Sequence, residues 1–137
     1  MIERIYPADI PAPRGPYSPA VRAGEFIFVS GQVPVDPATQ QLVSGDIATE
    51  TRRVLTNIQE ILKGCNAAMS DVVKCTVFLA DAKDFAAMNA VYAEFFGDAK
   101  PARATVVTGF VLEGIRVEIE AIAYQPKPVD AISNKTL

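Results

Sequence analysis

Four side chains near the C-terminal end of the sequence could combine anion binding with acid–base chemistry. They are Arg103, Thr105, Glu118 and Glu120, within PARATVVTGFVLEGIRVEIEAIAY (101–124). An arginine presents a planar fork that holds a carboxylate through two parallel hydrogen bonds. A carboxylate nearby can orient a water molecule and take its proton. The stretch reads as two strands and a connection. Residues two apart in a strand share a face, so Arg103, Thr105 and Val107 point one way, as do Glu118, Glu120, Ile122 and Tyr124. A hairpin centred between Val111 and Leu112 is expected. It sets Thr105 opposite Glu118 and Arg103 opposite Glu120, with all four groups on one face. By itself such a cluster is more often a cross-strand ion pair than a site.

Composition narrows the chemistry. The chain has 137 residues, half of them hydrophobic, which suits one domain with a substantial core. The sequence contains no histidine. That removes Ser/His and Cys/His nucleophile–base pairs and the commonest zinc ligand. Proton transfer near neutral pH is left to carboxylates, Lys, Tyr, Cys, backbone groups or water. A formal charge of −3 without a basic run argues against a nucleic-acid groove. Cys65 and Cys75 have no metal-ligand spacing and read as reduced thiols. The opening MIERIYPADI lacks the apolar core of a signal peptide, and no apolar run approaches a membrane span. A cytoplasmic, metal-free protein is expected.

The elements that must position these residues follow from periodicity. A short strand is expected over 3–7. A proline-rich loop follows over 10–16, then strands over 17–21 and 25–33. In the latter, Phe26 and Phe28 give way to Ser30 and Gly31, where the backbone becomes approachable. A polar loop over 34–45 leads to a helix from Ile47 to about Gly64, with Asp46 as its N-cap. Its apolar stripe is Ile47, Val54, Leu55, Ile58, Ile61 and Leu62. Its other side, including Glu50, Arg52, Arg53 and Glu60, reads as solvated. A strand over 70–80 carries Lys74 on the face shared by Val72, Thr76 and Phe78. A second helix starts at Asp84, a candidate N-cap, with Phe85, Met88, Tyr92, Phe95 and Phe96 as its buried stripe and Asn89 beside it. The order β-β-β-α-β-α-β-β predicts an α+β sandwich in which two helices cover one sheet face. The domain spans 1–124 and a tail spans 125–137. Apolar residues left on the other face favour burial against identical subunits in a closed ring.

Several of these segments, GPYSPA (15–20), FVSGQVPVDP (28–37), KCTVFLAD (74–81), FAAMNAVYAEFF (85–96), PARATV (101–106) and VEIEAIA (117–123), occur in one order. Together they make the chain similar to the Rid/YjgF family of reactive-intermediate deaminases, also labelled endoribonuclease L-PSP. The resemblance implies a chorismate-mutase-like fold, with a six-stranded mixed sheet and two helices on one face. It also implies a barrel-like homotrimer with clefts between subunits. The implied activity is hydrolysis of enamines and imines such as 2-aminoacrylate to a 2-keto acid and ammonia. No cofactor takes part, and the substrates are released by pyridoxal-phosphate-dependent dehydratases. By motif, Arg103 is the carboxylate-binding arginine, Tyr17 closes over the ligand, and Ser30 and Gly31 line the cleft. Lys74 and Asn89 match positions at or near it, Glu118 matches the glutamate of the hydrolytic water, and Thr105 stands where many members have cysteine. Glu120 is expected to be structural. Two alternatives accompany this reading: an endoribonuclease or translation inhibitor, and a module that binds 2-keto acids without turnover. Members commonly carry Leu-Pro between the last two strands, where this chain has Val111-Leu112.

Overall fold

The structure is a computed structural model and describes residues 1–126. Strands β1 (Ile2–Ile5), β2 (Ala20–Ala23) and β3 (Phe26–Gln32) form an antiparallel meander. A small ribbon of β4 (Val35–Asp36) and β5 (Gln41–Leu42) lies within the segment expected to be a plain loop. Helix α1 (Ile47–Gly64) follows, then β6 (Val72–Leu79), helix α2 (Phe85–Phe96), β7 (Ala102–Val107) and β8 (Val117–Tyr124). The main sheet has six strands in the order β1-β2-β3-β8-β6-β7. The α+β sandwich with a mixed sheet is therefore as expected.

The helix ends show local chemistry at work. Asp46 accepts from the Thr49 amide at 2.8 Å and so caps α1. Asp84 caps nothing with its side chain. Asp81 instead accepts from the Lys83 amide, and a single 3-10 turn leads into α2. Asp84 thus holds the expected N-cap position without a side-chain cap, and the capping bond falls three residues earlier, at Asp81, because the chain tightens before the helix proper begins.

One packing layer holds the core. Ile27, Val29, Cys75, Val77, Leu79, Val117, Ile119, Ala121 and Ala123 meet Val54, Leu55, Ile58, Ile61, Leu62 and Met88 of the helices. In β6 the alternation slips at Val72–Val73, where a bulge leaves Val72 buried and Val73 exposed. Among the described residues nothing covers the opposite sheet face, here called the bare face. Phe26, Phe28, Val106 and Tyr124 are each about two-fifths exposed there.

The expected β7–β8 hairpin does not form. Strand β6 lies between the two, paired parallel to β7 and antiparallel to β8. Cys75 sits beside Arg103 and Ala121, and Val77 beside Thr105 and Ile119. Phe78 sits beside Glu118, and Thr76 beside Glu120. Side chains directly paired across a ladder share a face. Arg103 and Thr105 therefore lie on the helix side, while Glu118 and Glu120 lie on the bare side. The single-face cluster is a wrong expectation. The connection from 108 to 116 is long enough to carry the chain past β6, so adjacency in sequence did not become pairing. The expected tail over 125–137 lies outside the described residues beyond Pro126.

Candidate active site

The candidate residues fall into two groups, here called half-sites. The first is built on the carboxylate. Glu118 opens β8 beside the end of β3, where the ladder shifts register between Val29 and Gln32. Gly31 sits in that irregularity. A Cβ built there would lie 2.5 Å from Glu118 Oε2 and 3.0 Å from its carboxyl carbon. The missing side chain is thus the space the carboxylate occupies. Tyr17 and Glu118 both line a cleft of about 580 Å3. Its other walls include Arg14, Gly31, Val33, Leu42, Phe78 and Phe110.

The loop carrying Tyr17 is tied down by backbone and hydroxyl bonds. Ser30 donates its hydroxyl to the Ser18 carbonyl at 2.6 Å, and its amide donates to the Pro19 carbonyl at 2.9 Å. Ser30 thus holds the Tyr17 loop against β3. The Arg14 guanidinium donates to the Gln40 carbonyl, bringing the same loop to the β4–β5 ribbon. The ribbon's start is anchored from below by the fully buried Asn57. Its amide donates to the Val35 carbonyl at 2.9 Å, and its Oδ1 accepts from Arg53.

Burial pushes the Glu118 carboxyl above its ordinary value of 4.5, and the like charge of Glu120 adds to the shift. No effect of Arg103 on it is found. This agrees with the two groups standing on opposite sheet faces.

The second half-site surrounds Arg103. Its guanidinium carbon lies 4.8 Å from the Tyr92 ring centre and 5.6 Å from that of Phe85. Among the described residues its side chain makes no hydrogen bond or ion pair. Four buried side-chain polar atoms lack a hydrogen-bond partner among the described residues: Thr51 Oγ1, Asn89 Oδ1, Tyr92 Oη and Thr105 Oγ1. The last three come from α2 and β7, the elements that flank Arg103. Native structures rarely leave such atoms unpaired, and sites for ligands are one reason. The Tyr92 hydroxyl approaches the Cys75 thiol without the geometry of a full hydrogen bond. Burial raises both groups above their usual range, so both stay protonated.

The structure thus gathers Tyr17, Gly31 and Glu118 in one place, with Ser30 supporting them. It gathers Arg103, Thr105 and Asn89 in another. Lys74 joins neither group of contacts. It lies on the bare sheet face, paired in the ladder with Ala102 and Ile122, four positions from Phe78. Sequence reasoning missed Arg14, Phe110 and Asn57, and assigned Tyr92 and Phe85 to packing alone. The helical spacing of Phe85, Asn89 and Tyr92 was the only available signal for the second half-site.

Fold and site together define a class: a small α+β protein in which an arginine unpaired among the described residues and a half-buried carboxylate stand on opposite faces of one sheet. The family described as Endoribonuclease L-PSP matches residues 8–125. A RutC family protein of Pyrococcus horikoshii is 50% identical over 91% of this chain and 99% of its own length. The 2-iminobutanoate/2-iminopropanoate deaminase of Bos taurus is 49% identical over 88% of each chain. The crystal structure of Escherichia coli TdcF with bound serine superposes with a TM-score of 0.84 at 34% identity, covering 90% of this chain and 98% of that one. The chain belongs to this Rid/YjgF, or L-PSP, family.

Proposed function

We propose that the protein hydrolyses small 2-imino acids and their enamine tautomers to 2-keto acids and ammonia. The two half-sites act together where one subunit's Arg103 faces its neighbour's Glu118 cleft in a homotrimer. The observation that carries this reading is the Arg103 guanidinium, seated on aromatic rings with its N–H fork unspent. Two unpartnered polar atoms, Asn89 Oδ1 and Thr105 Oγ1, stand on the elements beside it. That environment suits a small planar carboxylate with further hydrogen-bonding atoms. The bovine relative's name and the serine bound to TdcF, itself a small carboxylate, support it.

The chemistry balances with water alone. Arg103 holds the substrate carboxylate, each charge-assisted bond contributing about 1.5–3 kcal/mol. Glu118 accepts a proton as the water oxygen bonds to C2. The nitrogen takes that proton to give the carbinolamine. Glu118 then accepts the proton of the new hydroxyl as C2=O forms, the C–N bond breaks with its electron pair on nitrogen, and nitrogen takes this second proton to leave as ammonia. Thr105 and Asn89 offer hydrogen bonds to the substrate's polar atoms, and Tyr17 covers the cleft. The substrate is already reactive, so positioning suffices without a strong nucleophile. Such imines arise from pyridoxal-phosphate-dependent dehydratases, so this reading places the protein beside those enzymes in the cytoplasm.

The test couples a serine or threonine dehydratase to this protein and follows enamine decay. Acceleration is expected, with a loss of at least about 100-fold in Arg103→Ala. No acceleration overturns the deaminase reading. Acceleration that persists in Arg103→Ala overturns the site. Keto-acid binding without turnover would favour a sensing module, and RNA cleavage indifferent to Arg103→Ala would favour a nuclease.

A further inference from the structure

We infer that Tyr92 is a positioning residue for the substrate-binding arginine, acting through its ring face rather than its hydroxyl. The inference rests on the reading of Arg103 as the carboxylate anchor. It adds the device that keeps that anchor unspent.

An arginine on an edge strand ordinarily finds a carboxylate or a carbonyl. Here it does not. Tyr92 is only 8% exposed, and its ring centre lies 4.8 Å from the guanidinium carbon. Phe85, seven residues earlier on the same helix, contributes a second ring at 5.6 Å. A ring face attracts a cation without using any N–H. The contact therefore orients Arg103 and leaves its donors for a ligand. A carboxylate partner would orient it equally well but would occupy the fork and compete with substrate.

The neighbouring sequence makes the seat possible. Arg103 is paired in the ladder with Cys75, a small, fully buried residue. Its modest volume lets α2 bring Tyr92 close to the sheet edge. Asn89 lies between Phe85 and Tyr92 on the helical stripe, so the same element that seats the arginine carries the unpartnered amide oxygen toward that edge. The Tyr92 hydroxyl, by contrast, lacks a hydrogen-bond partner and ends near the Cys75 thiol.

The test compares Tyr92→Phe, Tyr92→Leu and Phe85→Leu in two assays. One is the dehydratase-coupled hydrolysis of 2-iminopropanoate. The other is calorimetric binding of pyruvate and 2-oxobutanoate to the unmodified and variant proteins. Tyr92→Phe keeps the ring and is expected within about 2-fold of the parent in KM and Kd. Tyr92→Leu removes it and is expected to raise both about 5- to 20-fold while kcat changes less than about 3-fold, the range a desolvated cation–ring contact covers. Phe85→Leu, at a half-exposed position, is expected to raise KM and Kd about 2-fold and keeps the proposal testable if Tyr92→Leu fails to fold. Equal damage from Tyr92→Phe and Tyr92→Leu overturns the ring-face role. So does a folded Tyr92→Leu with unchanged KM and Kd, or an unchanged Phe85→Leu where Tyr92→Leu does not fold. If the parent protein binds keto acids but hydrolyses nothing, the deaminase reading falls and the Kd values still judge the seat. If it binds no keto acid, the seat falls with the anchor it serves.

Discussion

Glu118 and Gly31 are one steric unit at the residue scale. The glycine's missing side chain is the carboxylate's room, and only the flexible end of Glu118 must give way if it is filled. Gly31→Ala is therefore expected to change stability by less than about 1 kcal/mol, since no backbone clash arises. Activity is expected to fall about 10- to 100-fold, because displacing a catalytic group by about 1 Å is enough for that. Thermal melting alongside the coupled assay separates the two effects. The raised Glu118 carboxyl gives a pH signature. A base must be ionised to act, so the protein-dependent rate is expected to fall as pH drops through a midpoint above the ordinary value of 4.5. Glu120→Gln removes the like charge and lets Glu118 ionise more easily, so that acidic limb is expected to move to lower pH. A limb that stays put in a pH–rate profile would argue that another group is the base.

At the scale of elements, one ion pair ties the run-in to β8 onto α1. Arg116 binds Glu50, and its guanidinium also reaches the Gly45 carbonyl. Glu50 was read as part of a solvated helix face, but its side chain is only 5% exposed, against 40% for Arg116. The asymmetry sets the sign of the mutations. Arg116→Ala strands a buried carboxylate and is expected to cost about 3 kcal/mol. Glu50→Gln leaves a half-exposed arginine that water can solvate, and is expected to cost less than half as much. Urea unfolding of both variants at neutral pH checks the order. Much at this scale was legible beforehand. The boundaries of α1, the Asp46 cap and the burial alternation in β8 all follow from patterns that a local segment carries. The segment 34–45 holds a two-residue ribbon where a plain loop is expected, and Asp84 stands at the N-cap position of α2 without a side-chain cap. A tight turn and a two-residue ribbon depend on contacts with neighbouring elements, which local propensity does not encode.

At the scale of the molecule, the proposed homotrimer would account for both the sheet's exposed face and the divided site. Among the described residues, Phe26, Phe28, Val106 and Tyr124 leave a partly exposed apolar face. The expected outcome of light scattering is a mass three times the 14.7 kDa of the chain. If each cleft joins two subunits, mixing unfolded Arg103→Ala and Glu118→Ala chains and refolding them together is expected to restore part of the activity. Each parent alone should have almost none. Failure to recover activity in a confirmed mixed trimer would place both half-sites in service of one subunit.

Residue types and their spacing alone determined the chemistry available to this protein. A chain without histidine leaves proton transfer near neutral pH to carboxylates, Lys, Tyr, Cys, backbone groups or water, and an arginine two residues before a threonine on a strand can share its face. They also determined the two amphipathic helices and the layer they cover, since those are periodicities within single segments. Tertiary structure alone decided that Arg103 and Glu118 stand apart. A strand's neighbour is chosen by long-range packing, and β6 entered between β7 and β8 because its apolar face completes the core on both sides. That insertion turns an apparent cross-strand charge cluster into two half-sites, and it is why Tyr92, which reads as core in the sequence, becomes the seat of the arginine.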